Sequence, residues 1–183
     1  MKHTRVIVTH YGGPDALQVI EVKRPEPKDG EVRVKVLAAG VSLPDVLARE
    51  GVHPETPRVP YTPGWDLVGT VDQLGEGVTG FEQGQTVAAM PIHGCYAQYV
   101  CVPQRKLVQV PAGLDAAEAV AVVLNYVTAY QMLHRSAKAL PGHRRRDVRY
   151  MLGAGSHGGP ASWRHPDRLQ GRGFRGGDSS PNW

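Results

Sequence analysis

Glu31-Val32-Arg33-Val34-Lys35-Val36 alternates charged and apolar residues without a break. Successive side chains of a strand point to opposite faces, so the three valines are expected to face a core and the three charges water. Toward the amino terminus, Asp29-Gly30, Pro27 and Pro25 interrupt the chain before a second strand-like run, Leu17 to Val22. Gly12, Gly13 and Pro14 mark a turn that separates it from the β-branched run Arg5 to Thr9. Toward the carboxyl terminus, Leu67 to Leu74, Thr86 to Ala89, Tyr96 to Val102 and Leu107 to Val110 are strand-like and bounded by Gly or Pro. Many short strands at this spacing imply a small barrel or sandwich, and the barrel is the reading adopted.

Helices are expected after Pro111. Asp115 followed by Glu118 is a capping pair, in which a carboxylate accepts from the orphan N–H groups of a first turn. Ala116 to Leu124 is good helix material. A second helix is expected from about Asn125 to Ala139, with Tyr126, Ala129, Tyr130 and Leu133 on one face, ended by Leu140-Pro141-Gly142.

With 183 residues, 41% hydrophobic and 21% charged, the chain can bury a substantial core. Its two cysteines, Cys95 and Cys101, suit neither a disulfide framework nor a zinc lobe, and read as small core or strand residues in a reducing cytosol. No secretory leader is visible at Met1 to His10, and no apolar run approaches the ~20 residues of a membrane span. A cytoplasmic protein with no membrane partner is expected. The net charge of +4 is unevenly divided. Up to Gly142 there are 13 Lys and Arg against 14 Asp and Glu, a net of −1; from His143 there are 8 Arg against 3 Asp, a net of +5.

The last 41 residues hold 8 Gly, 8 Arg and 3 Pro, and only Val148 to Leu152 shows strand character. Ordering a backbone costs about 1–2 kcal/mol per residue, and this composition offers little apolar surface against that. Disorder is expected for residues 143–183. The abrupt change suggests a reading frame that slips near His143, a hypothesis that an uninterrupted frame on resequencing would refute.

Tyr11-Gly-Gly-Pro-Asp-Ala-Leu-Gln18, Gly30 to Val36 and Ala39-Gly-Val-Ser-Leu-Pro-Asp45 are followed by Pro60-Tyr-Thr-Pro-Gly-Trp-Asp66 and Leu124-Asn-Tyr-Val-Thr-Ala-Tyr130. In this order the pieces resemble the amino-terminal domain of medium-chain dehydrogenases and reductases, in the zinc-independent quinone oxidoreductase, or zeta-crystallin-like, branch. The resemblance implies a mainly β fold with some α: a GroES-like β-barrel over residues 1–124, then a helix over 125–142 that leads toward a Rossmann cofactor domain. That second domain is expected to be absent or only begun. It also implies NADPH as cofactor, a quinone or α,β-unsaturated carbonyl as substrate, and a homodimer whose interface this chain would lack.

Zinc-dependent members place a Cys after the Gly-Val pair and a His-Glu pair after the later Gly; here those positions hold Ser42 and Trp65-Asp66. A hydroxyl and an indole are not zinc ligands, so no metal is expected. Without a Lewis acid, hydride transfer fits conjugated substrates whose developing oxyanion can be held by hydrogen-bond donors. By position in the family, Ser42 and Tyr61 are the catalytic candidates, and Asn125 and Thr128 the cofactor-side ones. Tyr61 reads equally as cover for the barrel edge, and Thr128 as an ordinary helix residue. Asp45 and Arg49, four apart on a short helix, read as an ion pair. His53 and His93 stand alone in the sequence and are expected at the surface.

Gly153, Gly155 and Gly158 spell G-x-G-x-x-G after Val148-Arg-Tyr-Met-Leu152 and are the candidates for a pyrophosphate turn. Gly159-Pro160 and Pro166 break the helix that should follow, so NADPH binding and turnover by this chain are expected to fail. Two other classes are weighed. Arg172-Gly-Phe-Arg-Gly-Gly177 resembles an RNA-binding RGG segment, which salt-sensitive RNA binding lost on deleting residues 143–183 would favour. A GroES-type co-chaperonin shares the barrel, and failure to form a ring in sedimentation would remove it.

Overall fold

The computed structural model describes residues 1–139. The chain divides into two compact units, Met1–Gln131 and Met132–Trp183. In the first unit β1 (Lys2–Val8) pairs antiparallel with β2 (Leu17–Lys23). A five-stranded antiparallel sheet has the order β6-β3-β4-β5-β7, with β3 (Glu31–Ala39), β4 (Leu67–Leu74), β5 (Thr86–Ala89), β6 (Tyr99–Pro103) and β7 (Leu107–Gln109). Isolated bridges from Arg5 to Ala97 and from Val8 to Tyr61 tie the hairpin to the larger sheet's connections. The fold is mainly β with short helices: α1 (Leu43–Arg49), α2 (Ala116–Ala121) and α3 (Val127–Gln131).

The expected strand Glu31–Val36 lies second in the sheet and runs on to Ala39, with β4 on one side and β6 on the other. Val32 and Val34 are fully buried with Leu67, Val71, Val87, Cys95 and Val102, and these form the main core. A smaller cluster on Val68 receives Ala119 and Val120, which places α2 against β4. β4 needs Gly69 where it crosses β3, because an added Cβ would collide with the Lys35 carbonyl.

Arg33 departs from the expected outward placement. Its side chain is 4% exposed, with Nε donating to Asp72 at 2.5 Å and Nη1 donating to the Glu26 carboxylate and the Pro25 carbonyl, each at 3.0 Å. The Pro25-Glu26 segment supplies acceptors where water was expected, and the planar guanidinium fork is satisfied inside the protein. Lys35 is exposed, as read from the alternation.

Some boundaries also differ. β6 begins at Tyr99 rather than Tyr96, because the Tyr96 amide donates to Pro63 and its carbonyl accepts from Val6. The cap at Asp115 forms, its carboxylate accepting from Ala117 at 2.8 Å and Glu118 at 3.2 Å. The helix expected to reach Leu124 is α-helical only to Ala121, and Val122–Tyr126 is a π-helical turn before α3. Tyr126 and Tyr130, expected on an apolar face, are each 63% exposed. The described residues of the second unit form another π-helical turn, Met132–Ser136. The expected helix end at Leu140-Pro141-Gly142 and the tail 143–183 lie outside the described residues.

Candidate functional site

The entry to β4 and the start of α1 are fastened together by one carboxylate. Ser42 precedes α1, and its amide and hydroxyl both donate to Asp45 Oδ2, at 2.9 and 2.7 Å. Asp45 Oδ1 accepts the Gly64 amide at 3.1 Å. Both Asp45 oxygens are therefore occupied, and the expected pair with Arg49 does not form. Arg49 instead donates to the Gly12 carbonyl and lies 3.5 Å from Glu50. A first-turn carboxylate is better placed for the helix's orphan N–H groups than for a side chain one turn on.

Past Gly64 the chain brings four rings together. His53 and Trp65 meet edge to face with centroids 5.1 Å apart, Trp65 and His93 at 6.2 Å, and Tyr61 and His93 at 6.0 Å. His53 and His93 are thus half-buried rather than at the surface, because Trp65 offers both a ring to pack on. Tyr61 Oη, Trp65 Nε1 and His93 Nδ1 are buried atoms without a hydrogen-bond partner among the described residues. Burial holds the Tyr61 phenol above its ordinary range and the His93 imidazole below its own. At neutral pH the first is a donor and the second is uncharged.

Asp66 follows Trp65 immediately before β4, is 1% exposed, and has no hydrogen-bond partner for either carboxyl oxygen among the described residues. Burial pushes its carboxyl up to about 6, and the neighbouring Asp45 adds to the rise. The backbone amides of Gly40, Asp66 and Leu124 pull in the other direction. The Tyr96 hydroxyl donates to the Gly40 carbonyl at 3.1 Å. Cys95 is buried in the core, and burial raises its thiol far above the ordinary range.

The candidates from sequence are only partly gathered here. Ser42 sits at the base of α1 with its hydroxyl proton committed to Asp45, and Tyr61 is in the ring cluster. Asn125, on the π-helical turn, and Thr128, on α3, are exposed. Gly153, Gly155 and Gly158 lie outside the described residues. Sequence reasoning weighed Trp65 and Asp66 only as failed zinc ligands, and placed His53 and His93 at the surface rather than in the site. The available signal was the contiguity of Tyr61, Thr62, Trp65 and Asp66 in one quoted stretch.

Residues 28–112 match the alcohol dehydrogenase GroES-like domain. The human synaptic vesicle membrane protein VAT-1 homolog-like is 34% identical over 137 residues, which take in 75% of this chain and 33% of that protein. Quinone oxidoreductase of Lama guanicoe is 36% identical over 137 residues, 74% of this chain and 42% of that one. The solved quinone oxidoreductase of Thermus thermophilus, studied also as its complex with NADPH, superposes with a TM-score of 0.64 at 33% identity over 76% of this chain and 42% of its own. The matched stretch spans less than half of each of these relatives. Residues 28–112 are an alcohol dehydrogenase GroES-like domain, and through it the chain is similar to the quinone oxidoreductases.

Proposed function

We propose that residues 1–124 are the substrate side of a reductase that passes hydride from NADPH to quinones or α,β-unsaturated carbonyls without zinc, and that 125–142 lead toward its cofactor half. The observation that carries this reading is the pair of unpartnered donors, Tyr61 Oη and Trp65 Nε1, held in one cluster of rings. Bound NADPH would supply the hydride. The rings offer edges and faces to a planar conjugated substrate, and the two donors hold the oxygen on which charge develops. Asp45 and Ser42 position this wall by clamping Gly64 to α1.

The residues at the zinc positions support a metal-free reading. Ser42 donates its hydroxyl proton to Asp45, and Trp65 offers only an N–H, which cannot ligate. Among the described residues no three His, Cys, Asp or Glu converge as a metal site would require. Asn125 and Thr128 are the cofactor-side residues in this reading, and both are exposed where a nucleotide could meet them. The breaks after Gly158 leave this chain without turnover of its own. No helix among the described residues is long and apolar enough to cross a membrane, and the reading places the protein in the cytoplasm.

The test is ligand-observed NMR of 1,4-naphthoquinone with the full chain, beside a titration of NADPH fluorescence. Naphthoquinone should bind saturably, and Tyr61→Phe and Trp65→Phe should each weaken it by about fivefold to tenfold, the worth of one hydrogen bond. NADPH should not saturate. Absent naphthoquinone binding, or binding indifferent to both variants, overturns the substrate wall; saturable NADPH binding overturns the loss of turnover.

A further inference from the structure

A second concavity is lined by none of the four clustered rings. Its volume is about 450 Å³, within the usual range of small-molecule sites, and its walls include His3, Arg5, Lys23, Thr62, Tyr99 and Cys101. His3 and Arg5 share one face of β1 because they stand two residues apart. The wall residues include no carboxylate. No ion pair among the described residues takes up Arg5, Lys23 or the adjacent Arg24, whose guanidinium lies 5.1 Å from the centre of the Tyr99 ring. By contrast Lys2, next to His3 on the same strand, is paired with Glu21 at 2.7 Å.

Two wall residues also keep buried polar atoms without partners, His3 Nδ1 and Thr62 Oγ1, and His3 is only 5% exposed. Burial first, then Arg5 and Arg24, hold the His3 imidazole below its ordinary range. A buried polar atom left unpaired destabilises the fold, and concentrated positive charge without a counter-charge adds to that. One ligand class answers both. The geometry points to a binding site for a small organic phosphate monoester, whose dianionic head meets Arg5, Lys23, His3 and Thr62 and whose apolar body lies along Tyr99, Val22 and Val100. A phosphate offers three acceptor oxygens, which matches this number of donors better than a carboxylate does. The site uses none of the residues of the reductase reading and stands without it.

The experiment uses the full chain with phenyl phosphate, inorganic phosphate and benzoate as probes, followed by calorimetry and by the imidazole C–H resonances of His3. Phenyl phosphate should bind saturably and more tightly than either control, and should raise the pH at which His3 titrates, since a bound anion favours the imidazolium. Arg5→Gln with Lys23→Gln should lower the affinity by about tenfold or more, the worth of lost charge-assisted bonds. Both residues are exposed, and an unchanged circular dichroism spectrum would establish that the double variant folds. Absence of saturation, or full affinity in the double variant, overturns the site. Equal affinity for benzoate or for inorganic phosphate overturns the assignment to a phosphate monoester.

Discussion

Asp66 is fully enclosed beside Asp45, and its carboxyl titrates near 6 rather than at the ordinary value of 3.8. The folded chain thus holds this proton more tightly than the unfolded chain does. Between about pH 4 and pH 6 the native state binds more protons, so the contribution of Asp66 to stability falls as pH rises through that window and is flat above it. The shift corresponds to about 3 kcal/mol as an order of magnitude. Asp66→Asn should flatten this segment of a urea-midpoint profile and raise the midpoint at pH 8; a profile that keeps its slope would show that another group titrates there. Asp45 is held differently, its carboxylate accepting three hydrogen bonds. Asp45→Ala should lower unfolding free energy by about 2–3 kcal/mol, measured by urea denaturation at neutral pH.

At the scale of elements, α2 depends on its first residue. Asp115→Ala removes two accepted bonds and should cost about 1 kcal/mol in a denaturation experiment. The strand β3 depends on its buried guanidinium. Arg33→Ala strands the Asp72 carboxylate, which is 23% exposed, and should cost about 3 kcal/mol, near the lower figure for breaking a buried pair. Leu67–Leu74 and Thr86–Ala89 could be read to the residue because nearby glycines and prolines bound both runs, which pair with each other. The start of β6 could not, since it is decided by the Tyr96 carbonyl accepting from Val6 and the Tyr96 amide donating to Pro63, each more than 30 positions away. Arg33 escaped for a similar reason: alternation reports which face a residue takes, and says nothing of what the Pro25-Glu26 segment lays over that face. The ring cluster was half legible. Tyr61 was marked by family position, but His53 and His93 acquire meaning only when the fold carries them to Trp65.

At the scale of the whole molecule, the described surface is unusually apolar around α1. Val41 is 72% exposed, Leu43 68% and Val52 65%. Exposed apolar side chains around one short helix favour association. The full chain should self-associate as concentration rises in sedimentation velocity, and Val41→Ser with Leu43→Ser should shift the onset to higher concentration. An onset that does not move would place the sticky surface elsewhere.

The order β6-β3-β4-β5-β7 has a consequence for synthesis on the ribosome. β3 emerges early, yet its two neighbours are supplied by residues 67–74 and 99–103. Until Pro103 clears the exit tunnel, one edge of β3 has no lawful partner, and nascent chains on adjacent ribosomes are the competing ones. A pause in translation between Leu74 and Tyr99 should therefore lower the yield of native protein more than an equal pause after Gln109.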